Sequence, residues 1–218
     1  MRSAFRVRRA VAAWTLLLCG GAGMSILAQS APRLVQPGAP GQPTRTISAA
    51  DAADVSAVRH TVADVRFMQG MIGHHAQALE MTALVAARSA RDDLRALALR
   101  IEVSQADEMA MMEEWLTQRG ESVPDEHAHH GRDDTRMPGM LTADQMQQLR
   151  DSSGTAFETG FLAGMIQHHE GALIMVRELF ATPGAGQEPV LFSFASDVEA
   201  DQAMEIRRMR ALLKELQK

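Results

Sequence analysis

The chain has 218 residues, 46% hydrophobic and 22% charged, with a net charge of −5. That acidic balance argues against a nucleic acid or an anionic membrane surface as partner, because both need Lys and Arg clusters. The single cysteine, Cys19, leaves no pair for a disulfide. Metal chemistry here must therefore rest on His, Met and carboxylates.

In chain order, Arg2, Arg6, Arg8 and Arg9 precede an apolar run from Ala10 to Leu18, and small residues follow from Ala28 to Ala31. This pattern predicts a secretory signal peptide over 1–28. The run is too short, and too interrupted by Gly20, Gly21 and Gly23, to read as a membrane span. Arg-rich leaders are common, so Arg8-Arg9 favours the general Sec route over the twin-arginine one. Bulky Leu18 before Cys19 argues against a lipoprotein. The expected location is periplasmic or extracellular, and losing four arginines makes the remainder more acidic still.

Residues 29–47 are rich in Pro, Gly and Gln without periodicity, and are expected to be a disordered spacer. From 48 to 218 the abundance of Ala, Leu, Met, Glu, Arg and Gln, with no Tyr, predicts a helical domain. Ser48-Ala-Ala-Asp51 resembles a helix start, and a first helix is expected from Asp51 to Arg88 with a break near His60. Ser89 is expected to cap a second helix ending before Gly120. A loop over about 121–141 carries Pro124, Gly131, Pro138 and Gly139, together with Glu126, His127, His129 and His130. The histidines could hold Cu(II), Zn or Ni loosely, but exposed His-rich loops often have no defined role. Thr142-Ala-Asp-Gln145 reads as a capping box for a short helix, interrupted at Ser152-Ser-Gly-Thr155. A helix over 156–180 follows, then a turn through Pro183 and Pro189 into the last helix.

An internal repeat organises this domain. The segment Phe67–Met81 matches Phe161–Met175, aligning Met71, His74, His75 and Met81 with Met165, His168, His169 and Met175. Asp64 and Glu158 are equivalent upstream. Each unit continues into a second helix, where Gln105-x-x-Glu108 corresponds to Gln202-x-x-Glu205. Two such units, repeat one over about 54–120 and repeat two over about 142–218, predict an all-α, four-helix bundle built from pseudo-symmetric helix pairs.

Adjacent histidines project about 100° apart on a helix, so both rings of a pair can border the bundle interior without gripping one ion. A shared site must be assembled between helices. Thioether sulfur prefers Cu(I), and neutral imidazole suits copper, zinc, iron and nickel. Met71-x-x-His74 and Met165-x-x-His168 place sulfur where di-iron bundles carry the acid of Glu-x-x-His, moving the preference towards Cu(I) or Ag(I). The candidate ligands are His74, His75, Met71, Met81, His168, His169, Met165 and Met175. Asp64, Gln105, Glu108, Glu158, Gln202 and Glu205 are candidates to orient the imidazoles. Met at helical spacing is ordinarily core filler, and that reading applies to Met68, Met109, Met111, Met112, Met146, Met204 and Met209. A lone interior His is ordinarily a hydrogen-bonded structural residue. Four histidines in two duplicated pairs are harder to dismiss.

On these residues, with Met137-Pro-Gly-Met140 and Phe157-Glu158-x-x-Phe161, the chain resembles the domain-of-unknown-function family three hundred and five, over about Asp54 to Lys218. The resemblance implies a ferritin-like helical bundle and, through some relatives, periplasmic copper or silver binding and resistance. The expected function is thus an exported, non-enzymatic protein that sequesters or delivers Cu(I) or Ag(I). Its partners would be the metal ion and a copper exporter or metallochaperone, with zinc or iron as alternatives to copper. A ferritin-like metal-dependent oxidase and a metal-free structural module are the competing readings. The first is weakened because the one Glu-x-x-His, Glu126-x-x-His129, falls in the loop.

Overall fold

The computed structural model describes residues 34–36, 44–54, 58–124 and 137–217. The expected signal peptide and the loop histidines His127, His129 and His130 lie outside them. The chain divides into two units, Met1–Ala52 and Ala53–Lys218. In the first, Leu34–Gln36 (β1) pairs antiparallel with Arg45–Ile47 (β2), in the register Leu34 to Ile47 and Gln36 to Arg45. This short ladder falls inside the stretch expected to be a spacer. The helix Ala49–Ala53 (α1) follows.

The second unit is all-α. Its first long helix, Val62–Ala83 (α2), starts at a capping box, just after the break expected near His60. The Thr61 side chain accepts from the Asp64 amide at 3.2 Å, and the Asp64 carboxylate accepts from the Thr61 amide at 2.6 Å. These contacts satisfy two of the donors that every helix start leaves free. The helix is therefore not continuous from Asp51. A turn at Leu84 leads into Val85–Arg88 (α3), and Asp92–Gln118 (α4) begins three residues after Ser89. Ser89 is not the cap of α4: Arg91 holds that position and its amide donates to the Ser89 hydroxyl at 3.1 Å, while that hydroxyl donates to Glu158 at 2.7 Å. Asp92 and Asp93 in the first turn of α4 suit the positive end of its dipole.

Thr142 and Gln145 form the expected capping box of Ala143–Asp151 (α5). Gly154–Ala181 (α6) starts two residues earlier than predicted, and Pro189–Leu216 (α7) has Pro189 in its first turn, where a missing N–H costs nothing.

α2 packs on α4 and α6 on α7, and the two pairs meet through α2 and α6. Apolar side chains form two clusters. One holds Met68, Met71, Met112, Trp115, Val176 and Phe194, and the other Met81, Leu97, Phe157, Phe161, Met165 and Met209. On each long helix a group of buried polar residues falls between the two clusters: His74 and His75, Gln105, His168 and His169, and Gln202 and Glu205. The bundle is thus greasy at both ends and polar across its middle. No described helix is long and apolar enough to cross a membrane.

Candidate metal centre

All four histidines of the duplicated pairs are fully buried in this polar layer. The outer histidine of each pair is held by the second helix of its own repeat. His75 donates from Nε2 to Glu108 Oε2 at 2.6 Å, and His169 donates from Nε2 to Glu205 Oε2 at 2.8 Å. Ser104 donates to the other oxygen of Glu108 at 3.1 Å, while Arg100 lies 3.5 Å from the other oxygen of Glu205. These two carboxylates orient imidazoles as the Gln-x-x-Glu pattern suggested.

The inner histidines meet across the repeat boundary. The His74 and His168 rings lie with centroids 3.8 Å apart, tilted by 39°. His168 donates from Nε2 to the backbone carbonyl of His74 at 2.9 Å. Strict two-fold symmetry would send His74 to the carbonyl of His168. It goes instead to the carbonyl of Pro138, at 3.0 Å.

A carbonyl only accepts, so Nε2 carries the proton in both inner rings, and an ionised carboxylate imposes the same tautomer on the outer rings. In the neutral inner rings each Nδ1 is then a bare lone pair. None of the four Nδ1 atoms has a hydrogen-bond partner, and neither do both polar atoms of the Gln105 amide nor Oε1 of Gln202. An unsatisfied buried polar atom costs about 1–3 kcal/mol. Seven lie in one layer, on the matching residues of a duplicated motif, and leave polar atoms that a bound ligand would satisfy.

Burial keeps the two inner rings deprotonated. Burial, with the neighbouring His75 adding to it, pushes the His74 imidazole down to about 3 against the upward pull of the Pro138 carbonyl. Burial likewise holds His168 well below the ordinary histidine range, reinforced by His74 and His169. Both rings are neutral at physiological pH, as metal-ligating imidazole must be.

The expected methionines divide. Met71 and Met165 are fully buried in the two apolar clusters, one turn before the inner histidine of their helices. Met81 and Met175 lie seven residues after that histidine, about 10 Å along the axis. They pack instead on Gly164 and Gly70 of the opposite repeat. No three His, Cys, Asp or Glu side chains among the described residues converge on one point. A bound ion would therefore draw on Nδ1 atoms together with amide oxygen or thioether.

Asp64 and Glu158, expected to orient histidines, touch none. Asp64 accepts from the Gly186 amide of repeat two at 2.7 Å, and Glu158 accepts from the Ser89 hydroxyl of repeat one at 2.7 Å. They are reciprocal ties between repeats, each gripping the loop that leads into the partner's second helix. Asp64→Ala is expected to lose about 1–3 kcal/mol of stability by stranding the Gly186 and Thr61 amides. Urea unfolding checks this, and metal titration of the same variant should show unaltered affinity.

The segment Met137–Leu141 falls at the end of the stretch expected to be a loop. It forms a strap across α2 and α6. Gln77 clamps it, donating to the Leu141 carbonyl at 3.0 Å and accepting from the Leu141 amide at 2.7 Å. Gln167 donates to the Gly139 carbonyl at 3.2 Å. Gly139 adopts φ +75°, and its partner Gly171 has no room for a side chain, since a Cβ there would overlap the Pro138 carbonyl. The available signal was a mismatch within the repeat, because Gln77 and Gly171 occupy equivalent positions.

The family described as Domain of unknown function (DUF305) matches residues 64–213. The chain belongs to the DUF305 family. Among solved structures, a DUF305 fragment from Deinococcus radiodurans is 31% identical over 72% of this chain and 98% of its own, with a TM-score of 0.63. A DUF305 protein from Streptomyces coelicolor, described as a candidate secreted protein, is 31% identical over 71% of this chain and 93% of its own, with a TM-score of 0.61. CopM in its Cu(I)-bound form shares the fold at 24% identity over 70% of this chain and 96% of its own, with a TM-score of 0.56. No curated protein sequence matches the chain. The matched stretch contains both histidine pairs that meet in the polar layer.

Proposed function

We propose that this DUF305 protein is an exported, non-enzymatic binder of a soft cation, Cu(I) ahead of Ag(I), that sequesters the ion or passes it to a copper exporter or metallochaperone. The observation that carries this reading is the set of four partnerless Nδ1 atoms in one buried layer. Each is the free face of an imidazole whose other nitrogen is anchored, the arrangement by which metal-ligating histidines are held and tuned. Cu(I) suits the donor types of this layer: imidazole Nδ1 from among His74, His75, His168 and His169, with the Met71 and Met165 thioethers one helical turn along. The secreted description of one relative and the copper-bound forms of the more distant CopM agree with this reading. The iron-oxidase alternative has less support, since Glu108 and Glu205 are already engaged by imidazoles.

The decisive variant replaces all four histidines with Gln. A Gln amide can still donate where Nε2 did, but it has no Nδ1 lone pair. Competition titration against a Cu(I) chelator is expected to show tight binding by the native protein and its loss in the variant. Equal affinity in the two proteins sinks the proposal. Zinc or Fe(II) bound in preference to Cu(I) would reassign the metal.

A further inference from the structure

The pseudo-two-fold axis relates two surface grooves that differ in one chemically decisive respect. One, about 390 Å³, is bordered by Phe67, Gly70, Met137, Pro138 and Met175. The other, about 380 Å³, is bordered by Leu141, Leu149, Gly160, Gly164 and Gln167. Gly70 and Gly164 are equivalent, and each is met by one end of the strap and by the last methionine of the opposite repeat's first long helix. A Cβ on Gly70 would lie 3.2 Å from Met137 Sδ and 3.4 Å from Met175 Cε. A Cβ on Gly164 would lie 3.0 Å from Leu141 and 3.3 Å from Met81 Cε. Where the first groove has two thioethers converging, the second has leucine and one thioether.

We infer that the groove at Met137 and Met175 is the loading site through which a soft monovalent cation reaches the histidine layer. This rests on the metal-binding reading above and assigns it a direction. Methionine at such a place is ordinarily a filler of irregular gaps. Leu141 fills the equivalent space at the other end without sulfur, so filling alone does not call for Met137. A thioether pair selects Cu(I) or Ag(I) over hard cations. The groove is also separated from the centre by a single residue. Pro138 lines it, and the Pro138 carbonyl is the acceptor that anchors His74. Gly70, which leaves space for both thioether ends, stands one helical turn before His74. The opposite groove has no such link, since His168 is anchored to a helix carbonyl.

The test measures loading rate separately from affinity. Cu(I) presented from a chromophoric chelator is mixed in stopped flow with the native protein, Met137→Leu, Met175→Leu and Leu141→Met. Met137→Leu copies the arrangement already tolerated at Leu141, so the fold should survive, and thermal unfolding verifies it. The expected result is an order-of-magnitude slower uptake in Met137→Leu and Met175→Leu, with unchanged competition affinity and no effect of Leu141→Met. In the four-histidine Gln variant, ¹³C-methyl signals of Met137 and Met175 should still shift on adding Ag(I). Native uptake rates in both leucine variants, in a protein that binds Cu(I) through its histidines, overturn the loading site and leave the metal centre standing. A native protein that takes up no Cu(I) overturns both.

Discussion

Gly171→Ala is expected to destabilise the protein by at least ~3 kcal/mol, beyond the usual cost of one extra core methyl group. The obstacle is backbone, which cannot rotate out of the way. The added Cβ would overlap the Pro138 carbonyl and stand 2.6 Å from the Gly139 Cα. The strap must then lift from α6, and its anchors go with it: the Gln167 bond to Gly139, the His74 bond to Pro138 and the Gln77 clamp on Leu141. Gly160→Ala on the same helix supplies a control of opposite sign. Its Cβ would meet only Leu149 Cδ1 at 3.6 Å, ordinary contact. That substitution should gain up to about 1 kcal/mol from helix propensity. Urea unfolding of the two variants side by side reads both. A Gly171→Ala protein as stable as the native one would show that the strap is not seated on α6.

Much of this architecture was legible in the sequence because duplication writes the same face twice. The equivalence of His74-His75 with His168-His169, and of Glu108 with Glu205, identified both the helix pairs and the carboxylates that orient the outer imidazoles. Periodicity finds which residues face inward, but it does not name their partners. Asp64 and Glu158 lie on the interior stripe of their helices, yet their partners come from distant loops, at Gly186 and Ser89. Ser89 followed by a helical run looked like a cap, and only the tertiary fold reveals that Glu158 claims its hydroxyl. The strap was harder still. Nothing local to Pro138 announces that its carbonyl completes a histidine, and the one trace in the sequence is Gly171 standing where the other repeat has Gln77. Departure from the repeat marked the strap, and conformity with it marked the polar layer and the two reciprocal loop ties.

Acid should unfold this protein through the two inner histidines. In the unfolded chain they titrate near 6.5, whereas in the fold burial takes His74 down to about 3 and His168 well below its ordinary value. Above pH 6.5 both states hold these rings neutral, and their contribution to stability is constant. As pH falls below 6.5 the unfolded chain takes up protons that the native layer refuses, so stability declines, and the decline ends only near the folded pKa values. Each ring contributes up to about 1.4 kcal/mol per pH unit, so the pair approaches about 2.7 kcal/mol per pH unit around pH 5. The measurement is the urea midpoint of the metal-free protein between pH 8 and pH 4, compared with a His74→Gln, His168→Gln double variant. Gln keeps a donor for the Pro138 and His74 carbonyls but has nothing to titrate, so its profile should be flatter by that amount. Parallel profiles would mean that the inner rings charge in place and are not in a dry layer. The same refusal of protons leaves both Nδ1 lone pairs open to a cation in mild acid. Cu(I) affinity should therefore weaken less steeply below pH 6.5 than for a free imidazole, as long as the fold persists.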